Sequence, residues 1–378
     1  MCWEKLMSNK ILVTRSSMPP FDEYVREIES LWESHWLTNM GEKHQRLEED
    51  LKSFLGVENV ALFVNGHLAL ECVLEAMQLG ADGRRKVITT PFTFASTTHA
   101  IVRMGLEPVL ADIDPDNYTI DPASVEALVD DETCAIVPVH VYGRLCDVDA
   151  LADIARRHDL KLVYDAAHAF GVLRNGVSSA TFGDASMFSF HATKVFNTIE
   201  GGAVCFRDPS LGPALDKWKN FGITSQEDVE YVGGNAKMNE FAAAMGICNL
   251  RHLPEEIAKR KKVTERYHER LEGHKGVRLC TNQPGVTSNY AYFPVVFEDG
   301  FGATRDEVFE RLHDFDIYSR KYFHPLVSDF ACYAGRFDSS ATPHAQHVAQ
   351  RVLTLPMYAD LAFDDIDRIC DVVLSCSR

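Results

Sequence analysis

Residues 133–168 read TCAIVPVHVYGRLCDVDALADIARRHDLKLVYDAAH, two apolar runs on either side of an amphipathic segment. The pattern predicts a strand over Thr133–Val139, a helix over about Val148–His158 and a second strand over Leu160–Tyr164. Strands joined through a helix of this length pair in parallel, because a tight hairpin joins only antiparallel neighbours. This stretch therefore predicts one unit of an α/β fold with a parallel sheet.

The same alternation continues on both sides of that unit. We expect further strands at Asn59–Val64, Lys86–Thr90, Pro108–Ile113, Ala185–Phe190 and Gly202–Phe206, with helices at Leu68–Leu79, Ala95–Met104 and Pro122–Val129. Repeated strand–helix alternation is typical of a large doubly wound, mostly parallel sheet domain.

The rhythm changes after about residue 207. Two long helices are expected at Asn239–Arg251 and Pro254–Glu272, then a strand at Tyr290–Phe297 and helices at Arg305–Asp314 and Phe363–Leu374. We predict two domains: residues 1–250 as the large sheet domain with an N-terminal segment, and residues 251–378 as a smaller α+β C-terminal domain.

Composition excludes several classes of function. The 378 residues carry 38 Lys+Arg against 55 Asp+Glu, a net charge of −17, which argues against a sequence-independent grip on nucleic acid. No apolar segment approaches the roughly 20 residues of a membrane span. The ten cysteines are scattered without a C-x-x-C pair, so we expect free thiols, no metal site and a cytoplasmic location.

Four strand ends carry residues that suit catalysis, and ligands of open α/β sheets bind at the carboxyl ends of the strands. At Asn65-Gly66-His67 a strand turns into a helix, whose free N–H groups and dipole suit a phosphate. Asp165 closes an apolar strand, where it is either a helix cap or a partner for a protonated ring nitrogen.

Lys194 and Glu200-Gly201-Gly202 complete the set. Lys194 follows a buried strand in mostly uncharged surroundings, where it is either an ordinary surface lysine with a buried stem or an amine whose pKa is lowered by desolvation and which acts as a nucleophile. The glycine turn brings backbone close to this lysine. A phosphate cradle, a carboxylate and a Schiff-base lysine are what a protein contributes to pyridoxal phosphate chemistry.

The sequence resembles the DegT/DnrJ/StrS sugar aminotransferases, which have the aspartate-aminotransferase-like fold (fold type I), over almost its whole length. The matching stretches are Asn65-Gly66-His67, Thr90-Pro91-Phe92-Thr93-Phe94, Pro138-Val139-His140-Val141-Tyr142-Gly143, Asp165-Ala166-Ala167-His168, Ser189-Phe190-His191 with Lys194, Glu200-Gly201-Gly202, Gly234-Asn235-Ala236-Lys237-Met238 and Leu355-Pro356-Met357-Tyr358.

The resemblance implies that the cofactor is pyridoxal 5'-phosphate, with pyridoxamine 5'-phosphate as the intermediate form. Lys194 should hold it as a Schiff base and shuttle the proton during transamination. Asp165 should pair with the pyridine nitrogen, His168 should lie beside the phenolic oxygen, and Phe94 should stack on the ring.

The phosphate and the partner subunit are also assigned by resemblance. The amides of Gly66, His67 and Leu68 with the Ser189 hydroxyl should hold the phosphate, and Asn235 should reach the phosphate of a neighbouring subunit. A homodimer with shared sites follows. Two departures stand out: His67 replaces the family's usual threonine, and Ala236-Lys237 replaces an aromatic-arginine pair.

The implied substrates are a nucleotide sugar and the amino donor L-glutamate. His168 and Glu200 favour a 4-ketosugar, and the best match is to enzymes that convert dTDP-4-keto-6-deoxy-D-glucose to dTDP-4-amino-4,6-dideoxy-D-glucose. Three alternatives stay open: a C3 aminotransferase on an isomeric 3-ketosugar, a product with an axial (galacto) amine at C4, and a cofactor-binding regulatory protein without turnover. Tyr322 and His324 are candidates for the sugar pocket, and Lys237, Arg320 and Lys321 for cations at its entrance.

Overall fold

The computed structural model describes residues 10–377. Its helices are α1 (Phe21–Ile28), α2 (Leu31–Ser34), α3 (Glu42–Leu55), α4 (Gly66–Ala76), α5 (Ala95–Arg103), α6 (Pro122–Leu128), α7 (Val148–Arg157), α8 (Leu211–Trp218), α9 (Glu240–Leu271), α10 (Arg305–Asp314), α11 (Pro343–Arg351) and α12 (Phe363–Leu374). Its strands are β1 (Val60–Phe63), β2 (Lys86–Thr89), β3 (Glu107–Leu110), β4 (Thr133–Ile136), β5 (Lys161–Asp165), β6 (Leu173–Arg174), β7 (Val177–Ser178), β8 (Ala185–Ser189), β9 (Gly202–Phe206), β10 (Val277–Leu279), β11 (Val286–Thr287), β12 (Phe293–Phe297) and β13 (Val352–Leu355).

A seven-stranded sheet in the order β1-β9-β8-β5-β4-β2-β3 forms the centre of the fold. Strands β3, β2, β4, β5 and β8 pair in parallel, and β9 runs antiparallel to both β8 and β1. The antiparallel register places Gly202, the first residue of β9, opposite both Phe63 and Ser189, the last residues of β1 and β8. The predicted mostly parallel doubly wound sheet is confirmed.

Helices cover both faces of this sheet, because alternate residues of each strand point to opposite faces. Leu62 of β1 packs in one buried cluster with Leu51 of α3 and Ile247 of α9. The adjacent Phe63 packs in another buried cluster with Leu70 of α4 and Ile101 of α5. Strands β1, β4 and β9 are thus buried along their whole length, which explains their near-continuous apolar sequences, while the edge strand β3 stays partly exposed.

A second, antiparallel sheet of order β10-β12-β13 lies in the C-terminal part of the chain. It shares a separate buried cluster with α10, α12 and the last turns of α9, through residues such as Val295, Leu312 and Ile369. A small sheet of order β11-β6-β7 was not predicted.

Residues 239–272 were predicted to contain two helices, and this prediction is wrong. A single helix, α9, runs through this segment with Pro254 inside it. A proline within a helix costs about 3 kcal/mol, but both halves of α9 are anchored, Leu253 in the sheet cluster and Tyr267 in the C-terminal cluster. This packing on both sides outweighs the missing hydrogen bond. The helix crosses residue 250, and the domain division there stays a prediction.

Among residues 10–377, no helix is both long enough and apolar enough to cross a bilayer.

Candidate active site

A cavity of about 380 Å³ opens at the carboxyl edge of the central sheet. Seven of the nine predicted site residues line it: Gly66, His67, Phe94, Asp165, His168, Ser189 and Lys194. Leu68 and Asn235 are not among the residues that line this cavity. Residues far apart in the sequence meet here because the strands that precede them end at one edge of the sheet.

The packing around the turn between β1 and α4 leaves no space for a side chain at Gly66 or at the neighbouring Gly202. A Cβ on Gly202 would lie 2.6 Å from the backbone nitrogen of Gly66, and a Cβ on Gly66 would lie 2.9 Å from Cβ of Ser189. Asn65 caps α4 by accepting the Leu68 N–H at 2.8 Å. The Leu68 amide donates to this cap, and the turn places Gly66 and His67 at the cavity. The phosphate contacts of the three amides stay a prediction.

Asp165 lies at the floor of the cavity and is 4% exposed. Its Oδ2 accepts the Thr97 hydroxyl at 2.7 Å, and its Oδ1 accepts the Ala167 N–H at 3.1 Å. Burial raises the pKa of Asp165, although these hydrogen bonds and the Lys194 charge oppose the shift. The carboxylate is thus held in place at the cavity, where a cationic group of a ligand would stabilise its buried charge. Sequence reasoning missed Thr97, whose role depends on where α5 begins.

His168 lines the same cavity and is 8% exposed. Its Nδ1 accepts the backbone N–H of Tyr142 at 3.1 Å, and its ring packs 4.7 Å from that of Tyr292. Burial, and secondarily the charge of Lys194, lowers the pKa of His168 well below its usual value. A neutral ring that accepts at Nδ1 carries its hydrogen on Nε2, so His168 can donate one hydrogen bond.

Lys194 lies five residues beyond the end of β8, on a turn closed by its own N–H bonded to the His191 carbonyl at 2.8 Å. The residue is half-buried and lines the cavity. Burial lowers the pKa of its amine to about 8, although the Asp165 charge acts in the opposite direction. A lysine with this pKa has a sizeable neutral, nucleophilic fraction near neutral pH.

Phe94 stands at the start of α5 with its side chain 57% exposed and facing the cavity. An exposed aromatic ring at a cavity wall offers an apolar face to a flat ligand. This position agrees with a ring-stacking role and argues against a purely core role for Phe94.

Of the predicted entrance cations, Arg320 alone lines the cavity, where it donates to the Tyr322 hydroxyl at 2.7 Å. Lys321 is instead paired with Asp306 at 2.6 Å. Lys237 donates to Asn220 Oδ1 at 2.6 Å, away from the cavity. Tyr322 lines the cavity as expected, but His324 does not. The sequence reveals charge, whereas the intramolecular partners of each cation depend on the fold.

These groups fit pyridoxal phosphate. The N-terminus of α4 places the backbone of Gly66 and His67 at the cavity, where free N–H groups suit a phosphate, and Asp165 and Lys194 supply a buried carboxylate and a neutralisable amine in the same cavity. Within residues 10–377, His, Cys, Asp and Glu side chains form no cluster of three or more that would bind a metal ion.

Known proteins resemble the chain over nearly its full length. A model of the DegT/DnrJ/EryC1/StrS aminotransferase family matches residues 21–374. A dTDP-4-amino-4,6-dideoxy-D-glucose transaminase of Shigella dysenteriae is 40% identical over 97% of this chain and 99% of its own. A transaminase of the same name from Escherichia coli is 39% identical with the same coverage.

A solved structure gives the same picture. The crystal structure of DesI in the presence of its TDP-sugar product has a TM-score of 0.92 and 35% identity, covering 98% of this chain and 93% of that one. Aminotransferases of this family use pyridoxal 5'-phosphate. The predicted family, fold and cofactor are therefore confirmed: the chain belongs to the DegT/DnrJ/EryC1/StrS aminotransferase family.

Proposed function

We propose that the protein is a pyridoxal phosphate-dependent 4-aminotransferase of a nucleotide-linked 4-keto-6-deoxy sugar. The reaction is dTDP-4-keto-6-deoxy-D-glucose plus L-glutamate giving dTDP-4-amino-4,6-dideoxy-D-glucose and 2-oxoglutarate. The observation that carries the proposal is one cavity lined by Lys194, Asp165 and His168 in a chain 40% identical to a transaminase named for this product.

Each of the residues named here has a separate role in the proposed reaction. When bound, pyridoxal phosphate supplies an electron sink and carries the amino group between the two substrates. Lys194 would hold the cofactor covalently, and its free amine would move a proton at Nζ. Asp165 holds a proton on the pyridine nitrogen, because a buried carboxylate stabilises the positive charge opposite it. The backbone at Gly66 and His67 and the hydroxyl of Ser189 bind the phosphate, and Phe94 covers the ring.

His168 serves as a fixed donor. With Nδ1 occupied by the Tyr142 N–H, its Nε2–H is the hydrogen available to the phenolic oxygen of the cofactor. Because burial keeps the ring neutral, it donates this hydrogen bond without adding a charge to the site. The ring also packs against Tyr292, which fixes its plane.

The sugar nucleotide and glutamate are both anionic, although the chain carries a net charge of −17. Arg320 lines the cavity and holds the Tyr322 hydroxyl, and we propose that its guanidinium binds a carboxylate of glutamate or the diphosphate of the nucleotide. Bidentate pairing with either group suits arginine. A 3-ketosugar would use the same cofactor residues, and the names of the similar transaminases favour C4.

We also propose a cytoplasmic homodimer in which each site is shared. Asn235 is exposed on a segment paired with Asn220. Apolar side chains of the adjacent segment are exposed, among them Phe221, Val229 and Val232, which is 96% exposed. Such a patch is typical of an interaction surface, and a second copy covering it would bring Asn235 to a neighbouring cavity. The nine described cysteines are free, which suits a reducing compartment.

A spectroscopic half-reaction tests this function. The protein loaded with pyridoxal phosphate is titrated with L-glutamate while the visible-edge absorbance of the bound cofactor is followed. We expect the band to bleach and 2-oxoglutarate to restore it, and Lys194→Ala to show neither change. A loaded protein whose band is unaffected by glutamate would contradict the transaminase assignment.

A further inference from the structure

The ring of His67 lies between the side chains of Glu71 and Ser96. It stands beside the turn at Asn65-Gly66-His67, here named the phosphate turn because it is proposed to bind the cofactor phosphate. Its Nε2 lies 3.0 Å from Oε1 of Glu71, and its Nδ1 lies 2.9 Å from the hydroxyl oxygen of Ser96. His67 and Ser96 both line the active-site cavity. Glu71 lies one helical turn further along α4 and is 6% exposed. The three side chains therefore form a continuous chain of hydrogen bonds from a buried carboxylate to the cavity wall.

Glu71 is held as a carboxylate. Burial favours a higher pKa, but hydrogen bonds from His67 and from Arg103 outweigh it and hold the pKa of Glu71 below its usual value. Arg103 donates to the same oxygen, Oε1, that faces His67. A ring nitrogen 3.0 Å from a carboxylate oxygen must carry a hydrogen, so Nε2 of His67 is protonated whatever the state of Nδ1.

The state of Nδ1 then decides which way the Ser96 hydroxyl points. In a neutral ring Nδ1 is an acceptor, so the Ser96 hydrogen points at His67 and only oxygen lone pairs face the cavity. In a protonated ring Nδ1 donates to Ser96, and the hydroxyl hydrogen is released toward the cavity. A phosphate accepts hydrogen bonds and carries about two negative charges at pH 7, so it pairs with the second arrangement and not with the first.

We propose that His67 is a positioning residue for the cofactor phosphate: its imidazolium, anchored by Glu71, turns the Ser96 hydroxyl into a phosphate donor, and the site takes up a proton when the phosphate binds. This role rests on the pyridoxal phosphate chemistry proposed above. It also accounts for a histidine at a position where the family usually has threonine, because the hydroxyl lost at residue 67 is supplied by Ser96.

The charged groups around His67 are consistent with this role. Glu71 lies on its own helix, Arg103 and His99 lie on α5, and Asp165 across the cavity is close enough to interact electrostatically with His67 and with Lys194. Arg103 already balances Glu71, so a protonated His67 adds a net positive charge beside the phosphate turn. His99 is bonded to the hydroxyl of Tyr333 at 2.5 Å and is outside the set of residues that line the cavity.

Calorimetry with pyridoxamine 5'-phosphate tests the proposal, because this ligand carries the phosphate but cannot form a Schiff base with Lys194. Binding to the cofactor-free protein is measured at pH 8 in two buffers of different ionisation enthalpy, which gives the affinity and the number of protons taken up. The variants are His67→Asn, Ser96→Ala and the double variant, with His99→Asn as the matched control. The readout is ligand binding, so it is independent of whether the sugar substrate is correctly assigned.

We expect wild type and the His99→Asn variant to take up a fraction of a proton that the His67→Asn variant does not. Each single variant at position 67 or 96 should bind about tenfold more weakly, as for one charge-assisted hydrogen bond. The double variant should bind no more weakly than His67→Asn alone, because the Ser96 hydroxyl acts only through His67. Unchanged proton uptake in His67→Asn, wild-type affinity in Ser96→Ala, or losses that multiply in the double variant would each overturn the proposal.

Discussion

The backbone N–H of Tyr142 donates to Nδ1 of His168 over 3.1 Å. Tyr142 is buried, in a turn that follows β4, and His168 follows β5, so two neighbouring parallel strands determine the state of one imidazole. This contact assigns the ring hydrogen to Nε2, the nitrogen left free to donate.

The tautomer of His168 is directly measurable. Burial lowers its pKa well below the usual value, so we expect nitrogen NMR of histidine-labelled protein to show a neutral, Nε2-protonated ring for His168 that does not titrate between pH 6 and 8. His168→Phe identifies the signal. A His168 signal that titrates in this range, or an Nδ1-protonated ring, would contradict the assignment.

The nucleophilicity of Lys194 depends on pH and on Asp165. Because burial lowers the pKa of the amine to about 8, the neutral fraction rises as pH rises through 8, and the rate at which cofactor-free protein attaches pyridoxal phosphate should rise with it. The Asp165 charge raises this pKa, so Asp165→Asn should move the midpoint to lower pH. Asp131→Asn, which alters an exposed carboxylate, is the control and should leave the midpoint in place. A midpoint near 10.5 in wild type, or no movement in Asp165→Asn, would show that this electrostatic account is wrong.

Gly202 is required by packing. A Cβ there would meet the carbonyl carbon of Asn65 and the nitrogen of Gly66 at 2.6 Å, so Gly202→Ala should displace the phosphate turn. We expect a loss of about 1–3 kcal/mol in the free energy of unfolding and weaker binding of pyridoxamine phosphate. In Gly212→Ala the added Cβ meets the Phe206 ring at no less than 3.6 Å, and this variant should retain both properties. Chemical denaturation measures the free energy of unfolding of the two variants, and calorimetry measures their binding of pyridoxamine phosphate. Equal values for Gly202→Ala and Gly212→Ala would contradict the packing argument.

The shared site is tested by mixing two inactive variants. Lys194→Ala and Asn235→Ala are each expected to lose most activity, and unfolding followed by joint refolding produces mixed dimers. If Asn235 acts on the neighbouring subunit, one of the two sites in each mixed dimer has both wild-type residues, and activity returns. Activity that stays at the level of the separate variants would place Asn235 in its own subunit's site or outside any site.

The alternation of short strands and helices was enough to predict the sheet, because buried parallel strands are continuous apolar runs whose length and punctuation are local properties. The single helix across Pro254 was not predictable in this way. Whether a proline interrupts a helix depends on packing at both ends, here through Leu253 and Tyr267, and those contacts join distant parts of the chain.

The candidate site was likewise predictable from local sequence only in part. Lys194, Asp165 and the turn at Asn65-Gly66-His67 were predicted as site residues because each follows a strand and has a distinctive chemistry. Thr97 and Tyr142 were not predicted to contribute to the site. The Thr97 hydroxyl and the Tyr142 N–H gain their roles only because folding brings them to Asp165 and to His168, respectively. The hydrogen bond from the Leu68 amide to the Asn65 side chain is another contact that the motif alone did not reveal.

The most direct test of the proposed reaction follows the nitrogen itself. The loaded protein is incubated with dTDP-4-keto-6-deoxy-D-glucose and nitrogen-15-labelled L-glutamate, and the sugar nucleotide is examined by mass spectrometry and NMR. We expect a dTDP-aminosugar with the label bonded to C4, together with 2-oxoglutarate. Glutamate conversion with no label in the sugar, or a label bonded to C3, would contradict a C4 sugar aminotransferase.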